Sequence, residues 1–215
     1  RAPTGPVARP RARRARGRVT PALDPEGSHR DRLLAGMAAA IREHGYGPTT
    51  VAEVVAHAHT SRRTFYEHFA DRDACFLALF ELLSTRTLEI LTEGATGDGP
   101  YLQRVEAALS AYLGQVAAEP ELMRSMILEL PAVGPAGVAR DREMTGRTAR
   151  QLVVLVDEAA EHDPTVRPLP LEAALVVVAG FRELVVFALE HGREPLELHA
   201  VAVDLVRRIT LQEAA

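Results

Sequence analysis

The sequence predicts an all-α protein, a small N-terminal helical domain followed by a larger helical body. Three observations carry that expectation. Apolar residues make up 47% of the chain, with Ala, Leu and Val dominant. Their runs recur at spacings of three and four, which is helical periodicity, and not in alternation. Breaks rich in Gly and Pro divide the chain into segments of helix length.

Composition bounds the rest. The longest apolar run, Ala173 to Phe181, is far short of the roughly 18 residues that span a bilayer. Cys75 is the single cysteine, so no internal disulfide can form. The basic N-terminus has no apolar stretch behind it and does not read as a signal peptide. A soluble, cytoplasmic protein without membrane contact is expected. All 25 basic residues are Arg, a bias that GC-rich coding explains. Charge is uneven: residues 1–18 carry seven Arg and no acid, 29–73 carry six Arg and six acids, and 74–215 carry twelve Arg and 21 acids. A near-neutral total thus hides a cationic arm on an acidic body.

Residues 1–27, rich in Arg, Pro and Ala, lack the apolar surface to offset ordering entropy and are expected to form a disordered arm. A first helix spans about 29–44, with Leu33, Leu34, Met37, Ala40 and Ile41 on one face. Gly45-Tyr46-Gly47-Pro48 ends it, and Tyr46 is expected as a core plug at that corner. Thr50 caps a short second helix to about Ala56, with Glu53 at capping-box spacing. After the turn His57 to Thr60, Ser61 caps a third helix to Phe69. Asp71 caps a fourth, about 72–93, with Phe76, Leu79, Phe80 and Leu83 on its apolar face. The fifth spans about 101–118, and Pro120 opens a sixth to about Leu130. The stretch 131–137 reads as a loop. A seventh helix runs to about Glu161. The eighth, about 171–191, is apolar nearly all round, which argues burial on more than one side. Pro195 opens the ninth.

Two short helices joined by a turn of about four residues make a helix-turn-helix. Phe65 and Phe69, four apart, share a face and pack inward. Arg62, Arg63 and Tyr66 fall on the opposite side, where Arg can donate two bonds to guanine in a major groove. Helix N-termini at Thr50 and Ser61 offer free amides suited to phosphate.

Residues 29–91 resemble the N-terminal domain of the TetR family of bacterial transcriptional regulators. The matching residues are Thr49-Thr50-Val51, Glu53-Val54, Ala58, Ser61, Thr64-Phe65-Tyr66, His68-Phe69 and Asp71-Arg72. The resemblance implies base contacts from Arg62, Arg63, Thr64 and sometimes Tyr66, and phosphate contacts from Thr50, Ser61, Tyr66, His68 and Arg72. Where the family usually has Gly in the turn, because the backbone there is often left-handed, this chain has His59, which visits that region at some cost, so a slightly strained or tilted turn is expected. The implied division is a DNA-binding domain over 28–88 and an effector-binding and dimerisation domain over 89–215.

The family encloses its effector with helices four to seven and part of eight. Phe80, Tyr112, Met123, Met126, Ile127, Glu129 and Phe181 are the candidates here, and each would equally serve as core. Few polar groups converge among them, so a hydrophobic or amphipathic ligand is expected. Helices eight and nine would pair with a second copy through Val177, Gly180, Leu184, Val201, Leu205 and Ile209. Gly180 would allow a close helix crossing, and Arg182 with Glu183 would form an interface polar pair or, less often for such a pair, part of a ligand site. Arg13, Arg14, Arg16 and Arg18 either reach a minor groove beside the third helix or belong to a leader without function. The implied protein is a homodimeric repressor released from a palindromic operator by a small molecule. An architectural DNA binder of the same fold without a ligand is the alternative. An enzyme is disfavoured: Cys75 has no obvious sequence partner, and no phosphate-binding loop or metal motif is present. His57 and His59 lack Cys or carboxylate partners in the sequence, and no metal or cofactor is expected.

Overall fold

The computed structural model describes residues 23–212. The arm residues Arg13, Arg14, Arg16 and Arg18 lie outside that range. Among the described residues the chain forms α1 (His29–His44), α2 (Val51–His57), α3 (Arg62–His68), α4 (Arg72–Ala95), α5 (Tyr101–Ala118), α6 (Pro120–Leu128), α7 (Pro135–His162), α8 (Leu171–Glu190) and α9 (His199–Thr210). Short 3-10 segments at Leu130–Val133 and Pro195–Leu198 precede α7 and α9. No helix among the described residues is long and apolar enough to cross a membrane.

Three details differ from the sequence reading. The arm was expected to run to residue 27, but Leu23 packs against the first core and Ser28 caps α1 in a capping box with Asp31. The expected loop 131–137 is mostly helical: Pro131 lies in a 3-10 turn and Pro135 opens α7, where its missing N–H leaves no bond unmade. The segment opened by Pro195 is 3-10, and the α-helix starts at His199.

The first core joins α1, α2, α3 and the N-terminal half of α4 around Phe65, Phe76, Leu33, Met37 and Leu79, all fully buried. Gly36 brings α1 onto α2: a Cβ there would stand 2.5 Å from the Val54 carbonyl oxygen. Leu122 and Met126 of α6, with Leu130, complete this core. The body is therefore packed into the N-terminal unit, and α4 runs unbroken across the expected boundary at residue 88. Three smaller clusters bind α5, α7, α8 and α9 to one another.

Candidate nucleic-acid interface and ligand cavity

Caps fix the helix-turn-helix. The Thr50 hydroxyl accepts from the Glu53 N–H, and the Glu53 carboxylate accepts from the Thr50 N–H at 2.7 Å. The Thr50 hydroxyl, which donates to the Glu53 carboxylate at 2.8 Å, and the Thr50 N–H hold the Glu53 carboxyl below its usual range. Ser61 caps α3 by accepting from the Thr64 N–H at 3.1 Å. The Thr64 hydroxyl lies 2.9 Å from that of Ser61, so it turns toward its own cap. In the turn His59 has φ 47°, the left-handed conformation expected of this position, and it is the one non-glycine residue with positive φ among those described. Arg32 of α1 shows how the strain is held: its guanidinium donates to the carbonyl of Ala58 at 2.9 Å and also to that of His59.

With Phe65 and Phe69 buried, the other side of α3 faces outward. Arg62, Arg63, Tyr66 and His68 are exposed there, Tyr66 by 58%. Arg63 pairs with Glu67 at 3.1 Å, but its side chain is 89% exposed. Such a pair contributes at most about 1 kcal/mol and leaves the guanidinium available to an anionic partner.

Arg72, expected at a phosphate, is placed differently. Its guanidinium donates to the carbonyls of Thr49 at 2.8 Å and Gly47 at 3.0 Å, and lies 4.3 Å from the centre of the Tyr46 ring. It fastens the α1–α2 connection, because the carbonyls left open after α1 need donors. Tyr46, the expected plug, stacks on Phe76 at 3.8 Å and donates its hydroxyl to Asp73. Glu129 also belongs to this corner and not to the ligand site: at the C-terminus of α6 its carboxylate accepts the Tyr46 N–H at 2.7 Å. A second tie comes from Arg42, which donates to both Glu119 oxygens at 2.6 and 2.9 Å. These two contacts anchor the end of α1 to the body.

Inside the body lies a cavity of about 230 Å³. Phe80, Tyr112, Met123, Met126, Ile127 and Phe181 line it, together with Leu88, Leu91, Val105 and Leu109. Sequence reasoning missed the α7 wall, formed by Asp141, Met144, Thr145, Thr148, Gln151, Leu152 and Leu155. Its spacing of three and four was a usable signal, obscured because polar residues sit within the stripe. Arg182 is likewise not half of an interface pair with Glu183 but follows the other reading and lines the cavity. It turns inward and bonds Asp141 at 2.7 Å and Thr145 at 3.1 Å. Burial pushes the Tyr112 phenol up to about 12, while Arg182 pulls against the shift. More polar groups thus enter the cavity than the sequence suggested, among them Arg104, whose Nε is buried without a hydrogen-bond partner.

The outward face of α8 and α9 is also revised. Val177 lines the cavity, Leu184 packs with Leu113 and Val185, and Ile209 packs inside the body. The exposed stripe on α8 is instead Val176, Gly180, Glu183 and Phe187, with Val176 exposed by 72% and Phe187 by 47%. Nothing within the chain approaches within 4 Å of a Cβ built on Gly180. On α9, Val201 is 53% exposed, and Leu205 is half-buried one turn further on.

Comparison with known proteins agrees with this architecture. Residues 33–79 match the model of the bacterial regulatory proteins of the tetR family. The HTH-type transcriptional regulator TcmR of Streptomyces glaucescens is 28% identical over 149 residues, a match covering 65% of this chain and 64% of that protein. The match thus spans just under two thirds of that relative's length. The fatty acid degradation regulator FadR from Bacillus halodurans superposes with a TM-score of 0.73 at 18% identity, over 84% of this chain and 95% of that one. FadR from Bacillus subtilis, solved in complex with stearoyl-CoA, gives 0.70 at 16% identity, over 81% and 96%. At such identities the two structures show a shared fold. The relatives named here are regulators, not enzymes. A helix-turn-helix that matches the tetR-family model over residues 33–79, with an all-helical body behind it and a likeness to TcmR, makes the chain similar to the TetR family of bacterial regulatory proteins.

Proposed function

We propose that the chain is a sequence-reading transcriptional regulator, acting as a homodimeric repressor that a small amphipathic ligand releases from a palindromic operator. The observation that carries the reading is the outer face of α3. Two guanidiniums, a phenol and an imidazole stand exposed on a helix whose other side is locked by Phe65 and Phe69. Arg62 and Arg63 would read base edges, while Thr50, Ser61, Tyr66 and His68 would set register on the phosphates. Thr64, turned to its cap, would contact a base only by leaving Ser61.

The stripe Val176, Gly180, Phe187, Val201 and Leu205 is the surface a second copy would cover. Two copies related by a two-fold axis would meet along this stripe, with Gly180 as the point of nearest approach. Two α3 helices so related would meet half-sites about 34 Å apart.

Phe80, Leu83 and Met126 support a ligand-controlled regulator over an architectural DNA binder. Each belongs to the first core and also lines the cavity. A ligand touching them would press on α4 and α6, which carry the DNA-reading unit. It would shift the population of DNA-binding dimers by its differential affinity for the two states.

Selection of bound sequences from a random duplex pool at near-physiological salt tests the reading. An enriched palindrome is the expected result. A folded dimer that enriches no sequence would overturn it in favour of the architectural role.

A further inference from the structure

We propose that the cavity is built for an anionic amphiphile, with Arg104 holding a carboxylate at one end and an apolar body filling the remainder. The proposal rests on the reading of the cavity as the effector site.

Its basis is a contrast between two guanidiniums. Arg182 is already matched, by Asp141 at 2.7 Å and the Thr145 hydroxyl at 3.1 Å. Arg104 lines the same cavity, has its Nε buried without a hydrogen-bond partner and forms no ion pair among the described residues. Its acidic neighbour Asp163 accepts from the Thr165 N–H at 3.0 Å and the Thr165 hydroxyl at 2.6 Å through one oxygen, and acts on Arg104 through space without closing an ion pair. The formal charges lining the cavity are therefore Arg104, Arg182 and Asp141, one positive charge in excess. An unmatched cation against apolar walls is unfavourable, and an anion in the cavity removes the mismatch.

The groups beside Arg104 fit the same ligand. Tyr101, three residues earlier on α5, also lines the cavity, with its hydroxyl buried beside Thr210. Its polar neighbour Thr210 gives its own proton to the Val206 carbonyl at 2.8 Å. Burial pushes the Tyr101 phenol up, which keeps it a donor. A phenol and a guanidinium side by side offer donors to two carboxylate oxygens. A neutral alcohol or an amine would leave the guanidinium unmatched. From Arg104 to Tyr112, near the Arg182 end, is eight residues of α5, about 12 Å along the helix axis. Leu88, Val105, Leu109 and Phe181 supply the apolar walls. The volume of about 230 Å³ falls below the roughly 300–1,000 Å³ of drug-sized sites, so a compact ligand is indicated.

The test is calorimetric titration of the full chain near neutral pH with decanoate, and with 1-decanol as the neutral probe of equal length. The same titrations are made on Arg104→Gln and Arg104→Lys, each checked for folding by its melting curve. The expected result is decanoate binding at least about tenfold tighter than decanol, a ratio near one in Arg104→Gln, and most of the preference kept in Arg104→Lys. Equal binding of the two probes to the wild-type chain would overturn the anionic assignment and leave the effector cavity standing. So would an undiminished preference in Arg104→Gln. If neither probe binds, the cavity reading and the proposal fall together. Should Arg104→Gln fail to fold, the wild-type ratio and the Lys variant still decide.

Discussion

Two glycine-to-alanine substitutions in helix interiors should differ in stability because of what surrounds them. Alanine is favoured over glycine inside a helix by about 1 kcal/mol. In Gly114→Ala nothing lies within 4 Å of the added Cβ, so the variant should gain that amount. In Gly36→Ala the Cβ would stand 2.5 Å from the Val54 carbonyl oxygen and 3.0 Å from the Ala58 Cβ. Ordinary contact begins near 3.4 Å, so α1 and α2 must part by several tenths of an ångström or more. That carbonyl also accepts the Ala58 N–H at 2.9 Å, at the start of the helix-turn-helix turn. Overpacking against backbone costs about 1–3 kcal/mol, and the difference between the two variants isolates this cost because the propensity gain is common to both. Urea unfolding at one fixed protein concentration would measure it, since the proposed dimerisation would make stability concentration-dependent. In melting temperature the gap should be several degrees, at about 2–4 °C per kcal/mol for a chain of this size. Equal stabilisation of the two variants would refute the close-packing argument for α1 on α2.

Arg32→Met keeps the stem of the side chain but removes the donors to Ala58 and His59. It should cost about 1.5–3 kcal/mol in urea unfolding, and a change below about 0.5 kcal/mol would show that the left-handed His59 holds without them. The Glu53 carboxyl sits below its ordinary 4.5 because Thr50 bonds the charged form. Its contribution is therefore complete above 4.5 and lost as pH falls through the lower folded value. The stability gap between wild type and Glu53→Gln should shrink on acidification through that window, and melting curves showing a constant gap would remove the cap from the explanation. Deleting residues 1–18, which carry seven Arg and no acid, should weaken DNA binding and flatten its salt dependence by about one unit of slope for each phosphate that the arm neutralises. An unchanged slope would take the arm out of the interface.

The N-terminal unit was legible because local chemistry determines it. Caps at Thr50, Ser61 and Asp71, the Gly-Tyr-Gly-Pro break and the Phe65/Phe69 spacing act over a few residues, and each appears where the sequence places it. The left-handed backbone at His59 was legible for the same reason. Side-chain partnerships across the fold were not. Arg72 and Glu129 read as available polar groups, yet their partners at the Tyr46 corner lie 23 or more residues away in sequence. The α8 surface was hidden for a different reason. In a helix apolar on every side, periodicity carries no phase, so Val176 and Val177 look alike although one is exposed and the other faces the cavity.

By itself, the sequence determined that this chain is helical, where its first six helices begin and end to within a few residues, and that it presents a helix-turn-helix with a cationic outer face. Those properties follow from backbone hydrogen bonding, capping and apolar spacing within single segments. Only the tertiary structure decided which face of α8 turns inward, that α7 walls the cavity, and that Arg182 is ion-paired there while Arg104 is not. The balance of charge in a buried space depends on which distant side chains packing brings together, and no local pattern encodes it.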